Sequence, residues 1–88
     1  MTPQEHERQK VYVAISRERA YQEKQWGTTG HAVGEWLLIL ESELAEAKQA
    51  WVKGDGYWDV LAEVLQVATD AVACLEEHGI MERQETIP

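Results

Sequence analysis

Apolar residues recur along the middle of the chain at steps of three and four, the spacing that gathers side chains on one face of an α-helix. The residues of this face are Trp36, Leu37, Leu40, Leu44, Ala47 and Trp51. The pattern predicts a helix over residues 31–53, and Gly54 directly after it suits the left-handed conformation that closes many helices. One side of this helix should therefore be buried and the other hydrated.

The chain before this helix has a weaker apolar pattern, which many charged residues interrupt. Thr2, Pro3 and Glu5 are arranged as a capping box with proline in the first turn, so a helix should begin there, or a few residues later, and continue to about residue 26. Its few apolar residues predict that this helix is largely exposed. The next segment, residues 27–30, contains two glycines and two threonines and is typical of a turn.

The segment of residues 57–78 is apolar around most of the circumference of a helix. Its apolar residues include Val60, Leu61, Val64, Leu65, Val67, Ala68, Ala71, Val72 and Leu75. Only two other helices are available to cover it, so we expect the chain to self-associate as a homodimer or homotetramer. The short connection at residues 53–56 indicates antiparallel neighbours. The predicted fold is all-α, an antiparallel helical bundle of three main helices that is completed by oligomerisation.

Length and composition are those of one small domain. The chain has 88 residues, of which 44% are hydrophobic. A chain of this size buries only about 60–65% of its unfolded surface, so burial against a partner subunit would help it greatly. We expect residues 1–79 to form the domain and residues 80–88 to form a flexible tail.

The charge balance and the single cysteine exclude several classes of protein. Sixteen acidic residues against eight basic ones give a net charge of −8, which disfavours direct binding to nucleic acid. Cys74 has no partner for an internal disulfide, and no apolar segment approaches the ~20 residues of a membrane span, so we expect a cytoplasmic protein. The sequence contains neither a Walker-type phosphate loop nor a Cys-x-x-Cys motif.

Acidic residues at a spacing of three stand out on the two apolar helices. Glu43 and Glu46 lie on one face of the second helix, at the edge of its apolar side. On the third helix Glu63, Gln66 and Asp70 belong to a narrow polar stripe. Carboxylates gathered near a core repel one another unless a cation binds between them, which predicts a magnesium site. The alternative is an ordinary solvated face, which is the common role of charged residues on helices.

The order of these motifs resembles that of one known family. The segment of residues 18–27, with the sequence Glu-Arg-Ala-Tyr-Gln-Glu-Lys-Gln-Trp-Gly, is followed by His31, by Glu43-x-x-Glu46 and by a further acidic helix. This order is similar to that of the MazG-like all-α nucleoside triphosphate pyrophosphatases, and especially to their small phage and bacterial members. The similarity covers about residues 15–78.

The resemblance implies a helical oligomer that binds Mg²⁺, or Mn²⁺ in its place, and hydrolyses a nucleoside triphosphate to a nucleoside monophosphate and pyrophosphate. Glu43, Glu46 and Glu63 would hold the metal, and one of these carboxylates would orient the attacking water. Gln66 stands where the family has aspartate. Either its carbonyl oxygen completes the site, or Asp70 one turn further on takes its place, or the site is weakened or inactive.

Lys24, Trp26 and His31 are the expected contacts to the nucleotide, because they flank the turn before the second helix. Trp26 offers a stacking surface for a base. The ordinary alternatives are a core or interface anchor for Trp26 and a surface histidine for His31. A different class of function is also open: a small acidic protein on the same scaffold that acts by binding, for example as an inhibitor of a nucleic-acid-binding protein. The substitution at Gln66 and the short length favour that alternative.

Overall fold

The chain forms three α-helices in a computed structural model, which describes residues 1–27 and 30–84. Helix α1 spans Pro3–Trp26, α2 spans Val33–Lys53 and α3 spans Tyr57–His78. The prediction of an all-α chain with three main helices is confirmed, and the described ranges contain no strand. None of the helices within them combines the length and apolar character that crossing a membrane requires.

The helix ends follow local signals in the sequence. Glu5 N donates a hydrogen bond to the Thr2 hydroxyl at 3.0 Å, and Thr2 N donates to the Glu5 carboxylate at 3.3 Å, which completes the predicted capping box of α1. Gly54 ends α2 in the left-handed conformation, with φ of 77° and ψ of 27°. Gly79 follows α3 with φ of 99°, a backbone angle that residues with a side chain rarely adopt.

Helix α2 begins two residues later than predicted, because tertiary contacts hold the backbone of His31 outside it. His31 N donates a hydrogen bond to the Glu77 carboxylate at 2.8 Å, and His31 O accepts one from His78 Nε2 at 2.7 Å. Ala32 becomes the N-cap, and its own N–H donates to the Glu35 carboxylate at 2.7 Å. The α2 start is therefore set by α3, which the local pattern does not show.

Two predicted segments fall partly outside the described residues. The turn expected at residues 27–30 includes Thr28 and Thr29, which lie outside them. Of the expected tail, residues 80–84 have no regular secondary structure, and residues 85–88 lie outside the described part of the chain.

Helix α3 is the central element of the bundle. It packs extensively against α2 and less extensively against α1, whereas α1 and α2 do not pack on each other in the part of the chain that the structure describes. Within residues 1–27 and 30–84, the buried residues are mostly small ones: Ala47 and Ala50 on α2, Ala73 and the fully buried Thr69 on α3, with Trp36 as the single large one. Small side chains at a contact let two helices approach closely.

Many large apolar side chains remain outside this core. Helix α1 has no buried residue, as its pattern predicted. On α2 and α3 a set of side chains with exposed fractions between 39% and 68% recurs at steps that keep it on one stripe of each helix. We call this set the back face; it consists of Val33, Leu37, Leu44, Trp51, Leu61, Val64 and Leu75. A single copy of the chain leaves the back face in water.

Candidate functional site

A cavity of about 690 Å³ lies between the three helices. Its lining includes Arg19, Gln22 and Trp26 from α1, Gly30 and His31 from the loop, Trp36, Ile39 and Glu43 from α2, and Gln66, Asp70, Ala73 and Glu77 from α3. Cavities of this volume are typical of sites for small molecules. Most of the residues expected to form a site therefore meet in one place.

Three carboxylates converge at the edge of this cavity. One oxygen from each of Glu43, Glu46 and Glu63 lies within 4.8 Å of the others, and we call this group the acidic cluster. It forms because the spacing of three places Glu43 and Glu46 on one face of α2, next to the α3 helix that carries Glu63. Glu43 also lines the cavity, so it connects the acidic cluster to the space where a ligand would lie.

The acidic cluster lacks positive partners. Among the described residues no Lys, Arg or His forms an ion pair with any of its members. Burial raises the pKa of the Glu43 carboxyl, and the negative charges of Asp70, Glu46 and Glu63 raise it further. Uncompensated carboxylate oxygens at this separation suit a hard cation such as Mg²⁺ or Mn²⁺, which takes oxygen ligands and relieves the repulsion. The donor set thus fits the expected metal.

Asp70 and Gln66 line the cavity but stand outside the acidic cluster. Gln22 Nε2 donates hydrogen bonds to Asp70 Oδ1 at 3.1 Å and to Gln66 Oε1 at 3.4 Å, and Gln66 Nε2 donates to Glu18 at 2.8 Å. Burial raises the pKa of Asp70, the bond from Gln22 and the charge of Arg19 lower it, and Glu18 raises it. Both polar ends of the Gln66 amide are therefore committed to α1, whereas Asp70 acts electrostatically on Glu43.

Arg19 is the only Lys or Arg residue among those that line the cavity in the described chain. Its guanidinium donates to Glu76 at 2.5 Å, to Glu23 at 3.1 Å and to Gln22 Oε1 at 3.1 Å. The bond to Glu76 joins α1 to α3, and the bond to Gln22 orients the Gln22 amide. The amide consequently points its N–H groups at Asp70.

The other end of the cavity is aromatic and is held by one carboxylate. Trp36 Nε1 donates to Glu77 at 2.6 Å, His31 N donates to the second oxygen of Glu77 at 2.8 Å, and the two rings meet edge to face with centroids 4.9 Å apart. The hydrogen bond from Trp36 lowers the pKa of Glu77, and burial raises it. The hydrogen bond from the His31 backbone and the charges of His78 and His31 lower this pKa further. A Cβ at Gly30 would lie 2.8 Å from a carboxylate oxygen of Glu77, so a larger residue there would require the Glu77 side chain to shift. We call these contacts of Glu77 the clasp.

Two of the three residues expected to contact the nucleotide line the cavity, and the third does not. His31 and Trp26 line the cavity, and Trp26 packs edge to face on Tyr21 with centroids 6.2 Å apart. Lys24 is not among the lining residues, because two helical positions separate it from Trp26 and turn it about 160° away.

Sequence reasoning did not find Arg19, Gln22 and Glu77 as parts of the site. Arg19 and Gln22 share a face of α1 at a spacing of three, which is a signal available in the sequence. Their partners on α3 are 48 and 57 residues away along the chain, and only the packing of the helices brings them together.

Comparisons with protein-family models, with curated proteins and with solved structures found no match to this chain. The resemblance to the MazG-like pyrophosphatases rests on the order of the motifs alone.

Proposed function

We propose that the protein is a magnesium-dependent nucleoside triphosphate pyrophosphohydrolase that works in the cytoplasm. The observation that carries the proposal is the acidic cluster, three carboxylates without a positive partner among the described residues, at the edge of a cavity with aromatic walls. Without a cation, this cluster would repel a triphosphate. With one, it becomes the place where the phosphates bind.

Glu43, Glu46 and Glu63 would hold the metal, which supplies charge neutralisation for the phosphate oxygens and lowers the pKa of a bound water. Glu43 is the carboxylate best placed to orient the attacking water, since it belongs to the acidic cluster and also lines the cavity. Asp70 lies on the cavity wall beside Glu43. It is a better candidate than Gln66 for the fourth ligand of the metal, because the Gln66 amide is hydrogen-bonded to α1. Arg19 is bonded to Glu76, Gln22 and Glu23, so neutralisation of the phosphate charge would fall mainly to a metal held by the acidic cluster.

The base and sugar would lie toward the aromatic end of the cavity. Trp36 and His31 form a rigid wall there because the clasp fixes both. Trp26, which lines the cavity and is 68% exposed, would supply an aromatic ring on which a base can stack. Stacking of this kind adds affinity with little selectivity among bases.

The active form is a homodimer or homotetramer in which α2 and α3 lie antiparallel across their short connection. The core of one copy consists mainly of alanines, while the larger apolar side chains of the back face are exposed. An apolar surface of this extent is typical of an interface, and a two-fold axis would bury it against its own copy. Self-association would leave the cavity accessible, because the cavity residues Gln66 and Asp70 point away from the Val64 side of α3, by about 160° and about 120° around the helix.

The test is release of pyrophosphate from a panel of nucleoside triphosphates with Mg²⁺. We expect activity in the unchanged chain, its loss in Glu46→Ala and its retention in Glu41→Ala. Glu41 is a matched control because it is exposed on α2 and about 160° around the helix from Glu43. Equal activity in the two variants would contradict a role for the acidic cluster.

A second candidate is a non-catalytic protein that acts by binding, and the bonding of Gln66 favours it. The amide makes its hydrogen bonds inside the protein, as a structural residue would. This candidate predicts no pyrophosphate from any nucleotide, with or without Mg²⁺ or Mn²⁺. It also predicts that Glu46→Ala leaves binding of the partner unchanged.

A further inference from the structure

Positive charge in this acidic protein is concentrated on one helix. Helix α1 contains five of the eight Lys and Arg residues and only four of the sixteen Asp and Glu residues. The rest of the chain therefore has three basic residues against twelve acidic ones. A partner attracted by positive charge would meet α1.

The basic residues of α1 are arranged along a regular line. The line consists of His6, Lys10, Val13, Arg17, Ala20 and Lys24, and we call it the outward seam. Its steps are four, three, four, three and four residues, the spacing by which one helix presents side chains to another in a coiled coil. Lys10, Arg17 and Lys24 occupy one of the two repeating positions, and His6, Val13 and Ala20 occupy the other. All six side chains are exposed.

The outward seam faces away from the rest of the bundle. Gln22, which bonds to α3, lies two positions before Lys24 and about 160° around the helix from it. In the described chain Arg17 and Lys24 form no ion pair, and Lys10 pairs only with the neighbouring Glu7 at 3.1 Å. A groove of about 420 Å³ runs along the first half of the seam between His6 and Arg17.

We propose that the outward seam is a docking surface for an acidic α-helix of another protein. Successive cations are seven residues, or about 10.5 Å, apart and stay nearly in line along the axis, which matches acidic residues at heptad spacing on a second helix. The small and apolar residues between them leave room for the apolar side chains of that helix. This surface is separate from the cavity and does not depend on the proposed hydrolysis.

Other occupants fit the charges less well. A second copy of α1 would place cation against cation at Lys10, Arg17 and Lys24, which is unfavourable. A nucleic acid or an anionic membrane presents many more negative charges than one helix with a single acidic stripe, so it would be repelled more strongly by the excess of nine negative charges on the rest of the chain, counted as twelve acidic less three basic residues.

The test uses the full chain and synthetic helical peptides labelled with a fluorophore. The acidic peptide has three heptads with Glu opposite the three cations and Leu or Ala between; matched peptides have Gln or Lys at the Glu positions. Fluorescence anisotropy should show binding of the acidic peptide at least tenfold tighter than binding of the Gln peptide. Affinity should fall as salt is raised, because the contacts are exposed ion pairs.

Charge reversal identifies the surface on the protein. Arg17→Glu should weaken the acidic peptide at least tenfold, and the triple variant Lys10→Glu, Arg17→Glu, Lys24→Glu should prefer the Lys peptide instead. Arg8→Glu is the matched control: Arg8 is an exposed cation of α1 about 160° around the helix from Lys10, and its reversal should change affinity less than twofold. Circular dichroism checks that each variant remains helical.

Three results would overturn the proposal. One is equal binding of the acidic and Gln peptides. A second is tighter binding of the protein to anionic lipid vesicles or to a single-stranded oligonucleotide than to the acidic peptide, if Arg17→Glu weakens that binding at least tenfold as well. The third is a change in the protein's own mass in Arg17→Glu, measured by light scattering without peptide, which would assign the seam to a second copy.

Discussion

The ionised carboxylate of Glu43 lowers the stability of the fold, but the proposed metal site requires it. Its folded pKa is raised, so ionising it at neutral pH costs free energy of folding that protonation would recover. We predict that Glu43→Gln raises the melting temperature without metal by roughly 2–4 °C, which corresponds to about 0.5 kcal/mol in a domain of this size. We also predict that Mg²⁺ or Mn²⁺ raises the melting temperature of the unchanged chain and that the same variant loses this rise.

Scanning calorimetry with and without Mg²⁺ measures both effects. Glu41→Gln removes an exposed charge from the other side of α2 and should leave the metal response intact. A metal response that survives in Glu43→Gln would mean that the acidic cluster is a solvated face.

Gln66 is hydrogen-bonded to Gln22 and Glu18 on α1, so replacing it by aspartate breaks contacts between α3 and α1. Gln66→Asp removes the bond to Glu18 and puts a new negative charge beside Glu18 and Asp70. We predict that it lowers stability by about 1 kcal/mol, or roughly 4–8 °C in melting temperature. Adding Glu18→Gln should recover part of the loss by restoring a donor. Higher stability in Mg²⁺ for Gln66→Asp alone would instead assign position 66 to the metal.

The acidic cluster was accessible from sequence because its spacing is local. Glu43 and Glu46 lie one helical turn apart, and Glu63 follows a short connection, so little besides helix formation is needed to bring them together. The hydrogen-bond network of Gln22, Gln66 and Asp70 depends on how α1 crosses α3. Its bonds join residues that are 44 or 48 positions apart in the sequence, and the apolar periodicity of the helices does not specify that crossing.

Helix α1 is attached to the bundle by polar contacts, since none of its residues is buried. Arg19 is its main attachment, with a side chain only 17% exposed and a direct bond to Glu76 on α3. We predict that Arg19→Ala speeds amide hydrogen exchange in α1 by about tenfold, or about 1.4 kcal/mol of local stability. Exchange in α2 and α3 should change little.

Lys10→Ala is the control, because it removes only a surface pair whose two side chains are 61% and 68% exposed. Uniformly faster exchange in all three helices would show that α1 unfolds with the bundle as one unit.

Most of the helix ends could be predicted because short sequence signals beside each end determine them. The capping box at Thr2 and Glu5, and the glycines after α2 and α3, fix three ends within about one residue. The start of α2 was misplaced because Glu77 and His78 bind the backbone of His31 from the far end of the chain. Long-range contacts of this kind override a local pattern.

The whole molecule should exist as an oligomer, because one copy exposes the back face. We predict that light scattering at micromolar concentration gives at least twice the 10.1 kDa mass of one chain. Leu44→Glu, which puts a charge in the middle of the α2 stripe, should shift the protein toward a single copy. Leu38→Glu is the control, since Leu38 is 68% exposed but about 120° from the back-face stripe of α2. A mass of one chain for the unchanged protein would contradict the proposed interface.

The clasp makes the molecule sensitive to acid. Because the folded pKa of Glu77 lies below its ordinary value of 4.5, its contribution to stability is present above about pH 4.5 and is lost as pH falls through the folded pKa. We predict that Glu77→Gln lowers the melting temperature at pH 6–7, with a red shift in fluorescence as Trp36 becomes hydrated. The difference between the two proteins should vanish at low pH; an equal difference at every pH would show that the carboxylate charge is not the cause.

The last turn of α3 also has a consequence for how the protein is made. Arg19 and the backbone of His31 emerge from the ribosome before their partners Glu76 and Glu77, which lie 57 and 46 residues further along the chain. The wall of the cavity can therefore close only once the last turn of α3 has been synthesised. Chains that terminate prematurely before Glu76 would lack both attachments, so an incomplete product would not carry a formed site.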